Sequence, residues 1–279
     1  MYKMAVCDID GTLIAKNGKL SQKTIDVIKE INNGKDIVTL STGRNVRNTL
    51  PVAKKLGIRV PFSCIDGILL YDPVNECIIE DKSISRESVM RLAEYGNSRN
   101  MFIEVSDGFK YYKFFPTKEH EKYDIFNEHT LWGRIKSYKK GVRYIKNISK
   151  LGELNNTFYQ ISFGGSDEEC AMAKKDIDEM KLENVEARDN VFRNYVFMNH
   201  TGIGKARGMR VLCDILGIST EEVIAIGDEM NDIDMLEEAG LGVAMGNASD
   251  KVKAYADEIA DTVDNDGAAK ILEKYFLGR

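Results

Sequence analysis

The sequence predicts an α/β fold: a doubly wound parallel sheet carrying an inserted α+β domain. Two observations predict it. Short apolar runs alternate with amphipathic helical stretches at both ends of the chain, the pattern of successive βα units. In the middle, across 83–192, the order changes to helix, strand, strand, helix, strand, helix, strand, strand, which reads as an α+β layer. A chain of 279 residues is comfortable for two domains. The expected division is a core of 1–82 and 193–279 around an insert of 83–192.

Met4–Cys7 is an uncharged apolar run with a glycine break soon after it, and reads as a buried strand. Asn17-Gly18 marks a turn. Ser21 suits the N-cap of a helix with Ile25, Ile28 and Ile31 at helical spacing, closing near Asn33-Gly34. Ile37–Leu40 is a second strand and Val46–Leu56 a second helix. A third short strand covers 61–65. Asp66-Gly67 turns the chain into 68–71, and 77–79 pairs back as a hairpin. In the insert, a helix at 87–97 precedes a hairpin of 101–105 and 109–115, dense in aromatic residues. A polar, helical segment follows it. Then come a strand at 158–163, a helix at Asp167–Met180 with an acidic start, and strands at 185–187 and 191–198. The core pattern resumes with a helix at 204–216, a strand at 223–226, a helix at 231–239, a strand at 242–245 and a final helix at 267–276.

Net charge is -5, which argues against a nucleic-acid partner, because phosphate backbones attract a basic face. No apolar stretch approaches the roughly 18–20 residues that span a bilayer, and Lys3 interrupts the first apolar run, so neither a membrane segment nor a signal peptide is expected. The five cysteines are scattered with no C-x-x-C spacing. They read as free thiols of a cytoplasmic protein. His120, His129 and His200 lack metal-ligand spacing and read as surface or insert residues. Gly202-Ile203-Gly204-Lys205 lacks the spacing of a phosphate loop.

Three strand ends carry polar groups that a core would not choose: Asp8 and Asp10, Thr42-Gly43, and Gly227-Asp228 through Asn231-Asp232, with Lys205 preceding the last. Side by side in a parallel sheet, these ends meet at one edge, where open α/β sheets bind ligands. If the first strand continued through Asp10, Asp8 and Asp10 would point the same way. Two carboxylates so placed call for a shared cation. Taken singly, Thr42 also suits a helix N-cap, and Lys205 also suits a solvated helix face.

Asp8-Ile9-Asp10-Gly11-Thr12-Leu13, Thr42, Lys205 and Gly227-Asp228 through Asn231-Asp232, in this order, resemble the four motifs of the haloacid dehalogenase (HAD) superfamily of phosphohydrolases. Thr42-Gly43-Arg44 and the order of elements in the insert resemble its Cof-type, class IIB branch. The resemblance spans the whole chain. It implies a Rossmann-like core with a cap domain that selects substrate, and a Mg²⁺-dependent phosphatase acting on a small phosphomonoester, such as a sugar or cofactor phosphate. An aspartate carboxylate can attack phosphorus and form an aspartyl phosphate; Asp8 takes that role. Mg²⁺ takes one or two carboxylates and keeps several waters, which suits Asp8 and Asp228, with the Asp10 backbone carbonyl added by resemblance. The Asp10 carboxyl is then left for proton transfer, in surroundings expected to be desolvated and acidic. Thr42 and Gly43 would hold phosphoryl oxygens, and Lys205 would stabilise the transition state. Arg44 and Asn231 are further candidates for the substrate, and Asp232 for orienting Lys205 or a metal-bound water. The sequence departs from the branch at Asp66, where Asn is usual. A phosphomutase on the same fold and a phosphoryl-receiver domain are alternatives; the insert of roughly a hundred residues speaks against the receiver.

Overall fold

The structure, a computed structural model, describes residues 1–124, 136–189 and 194–279. His129, part of the expected polar helical segment, the start of the strand expected at 191–198 and the expected boundary at 192–193 lie outside the described residues. Chain contacts separate two units, Met1–Asp81 with Ile203–Arg279, and Lys82–Gly202.

The first unit is built on a five-stranded parallel sheet in the order Glu258–Ile259, Leu241–Ala244, Val223–Gly227, Met4–Cys7, Ile37–Leu40. Met4–Cys7 lies inside it with all four residues fully buried, which is why the run carries no polar alternation. Its two neighbours were reached in opposite directions along the sheet, so its carboxyl end is a switch point. Cys7 pairs with Leu40 on one side and Ile226 on the other. The ladder runs one step further: the Asp8 N–H donates to the Ile226 carbonyl at 2.9 Å and the Ser41 N–H to the Cys7 carbonyl at 3.0 Å. This register brings the residues after all three strands to one edge.

Two helices of this unit match their sequence signals. Gln22–Asn32 starts at Ser21, whose hydroxyl accepts the Thr24 N–H at 3.0 Å; such caps are worth about 1 kcal/mol. Val46–Leu56 starts at Asn45, which accepts the Asn48 N–H, so the N-cap role open to Thr42 belongs to Asn45. Gly57 ends this helix at φ +72°. The third strand, Phe62–Cys64, touches the parallel sheet through one bridge, Ser41 with Ser63, and otherwise forms an antiparallel sheet with Leu69–Asp72 and Cys77–Asp81. The final helix is shorter than expected: Gly267–Leu272 passes into a π-helical turn, Glu273–Leu277.

The second unit holds a six-stranded sheet in the order Val185–Asp189, Tyr195–His200, Gln160–Gly164, Phe102–Ser106, Tyr111–Phe114, Val142–Tyr144. Arg86–Ser98 and Asp167–Met180 pack on it; the second begins with a capping box of Ser166 and Glu169. Ile103, Val105, Ile161, Phe163, Val196 and Met198 form its apolar core with Leu92 and Ile177. Tyr195–His200 pairs with both Gln160–Gly164 and Val185–Asp189. The insert therefore continues to Gly202, beyond the expected return to the core at 193. Of the aromatic hairpin, Tyr112 packs edge-on against Phe158 and Phe115 stacks on Phe102, so these rings serve the insert's own packing.

Candidate active site

The chain leaves the first strand at Cys7 and turns at once. Asp8 is buried, Ile9 fully so, and Asp10 is exposed. The two carboxylates do not share one strand face, because the strand ends before either. Gly11 holds φ +86°, and a Cβ there would lie 2.1 Å from an Asp228 carboxylate oxygen. Only glycine fits where these two loops meet.

Around Asp8 the structure brings together Lys205, Asp228 and Asp232. Lys205, on the first turn of the helix Lys205–Leu216, is 1% exposed. Its Nζ donates to Asp8 Oδ1 at 2.6 Å and to Asp232 Oδ1 at 2.5 Å. Asp232 Oδ2 accepts the N–H groups of Asp228 and Glu229, each at 2.9 Å. Asp232 thus fixes the loop and Lys205 together, with both of its carboxylate oxygens accepting hydrogen bonds. Among the described residues, nothing bonds Asp8 Oδ2. Each of Asp8, Asp228 and Asp232 has a carboxylate oxygen within 4.8 Å of the others'.

Three buried carboxylates against one ammonium leave an excess of negative charge. Burial pushes the Asp8 carboxyl up to about 8; Lys205 opposes the shift, and Asp232 and Asp228 add to it. Burial likewise raises Asp228 to about 7, against the hydrogen bond from Thr12 and with the help of Asp232 and Glu229. Burial alone would lower the Lys205 ammonium, but Asp232, Asp8 and Asp66 outweigh it and raise it. Such a site favours a cation with oxygen ligands.

The other expected residues sit at the rim. Thr42 is buried, and its Oγ1 accepts the Arg44 N–H at 3.2 Å; Gly43 beside it is exposed. Arg44 forks onto Asp10: Nε to Oδ2 at 2.6 Å and Nη2 to Oδ1 at 2.5 Å. The desolvated surroundings expected for Asp10 are absent, since its side chain is 59% exposed. Asn231 donates its amide to Asp66 Oδ1 at 2.8 Å. Asp66 sits in a left-handed turn with Ile65 and Gly67 (φ +51°, +49° and +83°), and its N–H bonds the Thr42 carbonyl. Two residues at the site had no role in the sequence reading. Thr12 Oγ1 donates to Asp228 Oδ1 at 2.9 Å. Asn247 Nδ2 donates to the Gly11 carbonyl at 2.9 Å and to Asp228 Oδ2 at 3.3 Å. Thr12 lies inside the first motif, a signal that could have found it; nothing in the sequence marks Asn247.

A strand-end aspartate paired with a buried lysine, beside two further aspartates, defines a HAD-type hydrolase core. A family profile described as haloacid dehalogenase-like hydrolase matches residues 5–272, and the chain belongs to this family. Its inserted α+β domain agrees in fold with the Cof-type, class IIB arrangement that the sequence resembles. The chain is 30% identical to a putative phosphatase of Haemophilus influenzae over 99% of both chains. It is 26% identical to a 5-amino-6-(5-phospho-D-ribitylamino)uracil phosphatase of Bacillus subtilis over 96% of both. The solved structure of a HAD subclass IIB sugar phosphatase has the same fold, with a TM-score of 0.77 at 22% identity and 98% of both chains covered.

Proposed function

We propose that the protein hydrolyses small phosphomonoesters with Mg²⁺, through an aspartyl phosphate on Asp8. The observation that carries this is the state of Asp8: one oxygen is pinned by Lys205, the other is unbonded among the described residues, and Asp228 stands beside it. A nucleophile needs a free lone pair and a fixed orientation.

The donor set fits Mg²⁺, which prefers oxygen ligands and one or two carboxylates. Asp8 and Asp228 would hold it with the Asp10 carbonyl, while Thr12 and Asn247 orient Asp228. Bound there, the ion would neutralise charge between these carboxylates and the phosphoryl oxygens. Asp8 Oδ2 attacks phosphorus as the ester P–O bond breaks, and Asp10 gives its proton to the departing oxygen. Water then attacks the phosphorus, Asp10 takes its proton, and the bond to Asp8 breaks to release orthophosphate. Lys205 offsets charge on Asp8 and the phosphoryl group; Thr42 and Gly43 offer donors to the phosphoryl oxygens.

The insert is read as the cap that selects the leaving group, with the division at 82–202 in place of 83–192. A sugar or cofactor phosphate is the favoured substrate class; the Bacillus relative is named for a phosphorylated ribityl compound. Five free cysteines suit the cytoplasm, and no described helix is long and apolar enough to cross a membrane. The test is a panel of phosphate esters with Mg²⁺, run on the wild type and on Asp8→Asn. Turnover equal to wild type in Asp8→Asn would remove the nucleophile assignment.

A further inference from the structure

We propose that Arg44 is a positioning residue: it sets the orientation of the Asp10 carboxyl for proton transfer rather than anchoring the substrate phosphate. The inference rests on the phosphatase reading and deepens it. Asp10 lies on the turn after the first strand, with its side chain 59% exposed. Among the described residues, Arg44 is the one side chain that bonds its carboxylate. An exposed aspartate left alone rotates freely about its side-chain torsions, whereas proton transfer needs a donor held at about 2.6–3.2 Å from the accepting oxygen. A bidentate guanidinium fixes the carboxylate plane as well as its distance, which a single ammonium cannot do.

The root of Arg44 is rigid enough for this work. Its N–H is held by Thr42 Oγ1 at 3.2 Å, and its carbonyl accepts the Ile65 N–H at 3.0 Å. The next residue, Asn45, is fully buried and caps the helix Val46–Leu56. The side-on edge of the guanidinium, Nε with Nη2, is already occupied by Asp10. Thr42 Oγ1, by contrast, bonds the Arg44 N–H and, among the described residues, no carboxylate. Orientation of the proton donor and grip on the phosphoryl group are thus divided between adjacent residues of one loop.

The experiment compares Arg44→Ala and Arg44→Lys with wild type on an alkyl phosphate and on p-nitrophenyl phosphate, whose leaving group departs without protonation. Positioning predicts that kcat/KM on the alkyl ester, which reports the steps through departure of the leaving group, falls about a hundredfold, the scale of general acid catalysis, while kcat/KM on the aryl ester is little affected. Arg44→Lys keeps the charge but not the fork, and should show the same disproportion. Inhibition by inorganic phosphate should be nearly unchanged in both variants. Guanidinium added to Arg44→Ala should restore alkyl turnover in part, because the site is open to solvent. Equal losses of kcat/KM on the two esters, with weakened phosphate inhibition, would overturn the proposal and make Arg44 an anion anchor. Absence of Asp8-dependent turnover in the wild type would instead remove the phosphatase reading, and this inference with it.

Discussion

Among the described residues, two buried lysines each contact at least two carboxylates, and the pair is instructive. In the core, Lys205 (side chain 1% exposed) contacts Asp8 at 2.6 Å and Asp232 at 2.5 Å. In the insert, Lys113 (also 1% exposed) contacts Glu104 at 2.8 Å and Asp124 at 2.5 Å. Their local chemistry is nearly the same, but their surroundings differ. Lys113 and Glu104 are cross-strand partners in mid-sheet, where Lys113 also approaches the Phe102 ring. Lys205 stands at a strand-end edge, where Asp228 adds a third carboxylate and Asp8 keeps one oxygen unbonded among the described residues. A buried ion cluster is therefore no sign of function by itself. Surplus charge and an open lone pair at a switch point are the distinguishing marks.

Mutations should separate the two clusters. Asp8→Asn should lower turnover at least about a thousandfold, as removal of a nucleophile does, with the fold retained by circular dichroism. Lys205→Met should cost about a hundredfold or more in kcat, the scale of losing a charge that stabilises the transition state. Lys113→Met should instead act on stability, by about 3–5 kcal/mol in denaturant unfolding, because it takes the ammonium away from two buried carboxylates. Turnover per folded molecule should survive it. The contrast breaks if Lys113→Met abolishes catalysis in folded protein, or if Lys205→Met leaves it intact.

Protons and metal should sharpen the comparison further. Burial raises the Asp8 and Asp228 carboxyls in the folded protein to about 8 and about 7, from the ordinary aspartate value of 3.8. The folded state then binds more protons than the unfolded state between these limits. The stability they contribute is full below the unfolded value and is lost as pH rises through about 7 to 8. Metal-free protein should show a falling Tm across that interval. Mg²⁺ should raise Tm more at pH 8 than at pH 5.5, because binding needs the deprotonated carboxylates. An equal Mg²⁺ shift at both pH values would argue against these ligands. The smallest effect is expected from Thr12→Val, which removes one hydrogen bond to Asp228. Titration calorimetry should show Mg²⁺ affinity weakened by about tenfold.

How much of this was legible in the sequence follows from what each contact depends on. The core strands and most helix boundaries were readable, because apolar period and cap residues are local signals. So was the meeting of Asp8, Lys205 and Asp228, since parallel register carries strand ends to one edge. The partners of exposed side chains were not. Arg44 finds Asp10 and Asn231 finds Asp66 only once separate loops have folded against each other. Asn247 reaches Gly11 from 236 positions away with no motif to announce it. The insert runs to Gly202 where a return near 193 was expected, because Tyr195–His200, the strand read as the last of the insert's elements, pairs along its whole length inside the insert's sheet.

The chain's excursion into the insert also shapes how the molecule is made. Lys205 and Asp8 are 197 positions apart, and the Asp8 N–H depends on the Ile226 carbonyl for its bond. During synthesis the strand Met4–Cys7 therefore waits with one edge unpaired until Val223–Gly227 has emerged from the ribosome, after the insert's last strand, Tyr195–His200. Non-local pairing of this kind forms late. Catalytic competence is thus the last property the nascent chain acquires, and pulse-labelled hydrogen exchange should find the Asp8 amide protected after those of the insert.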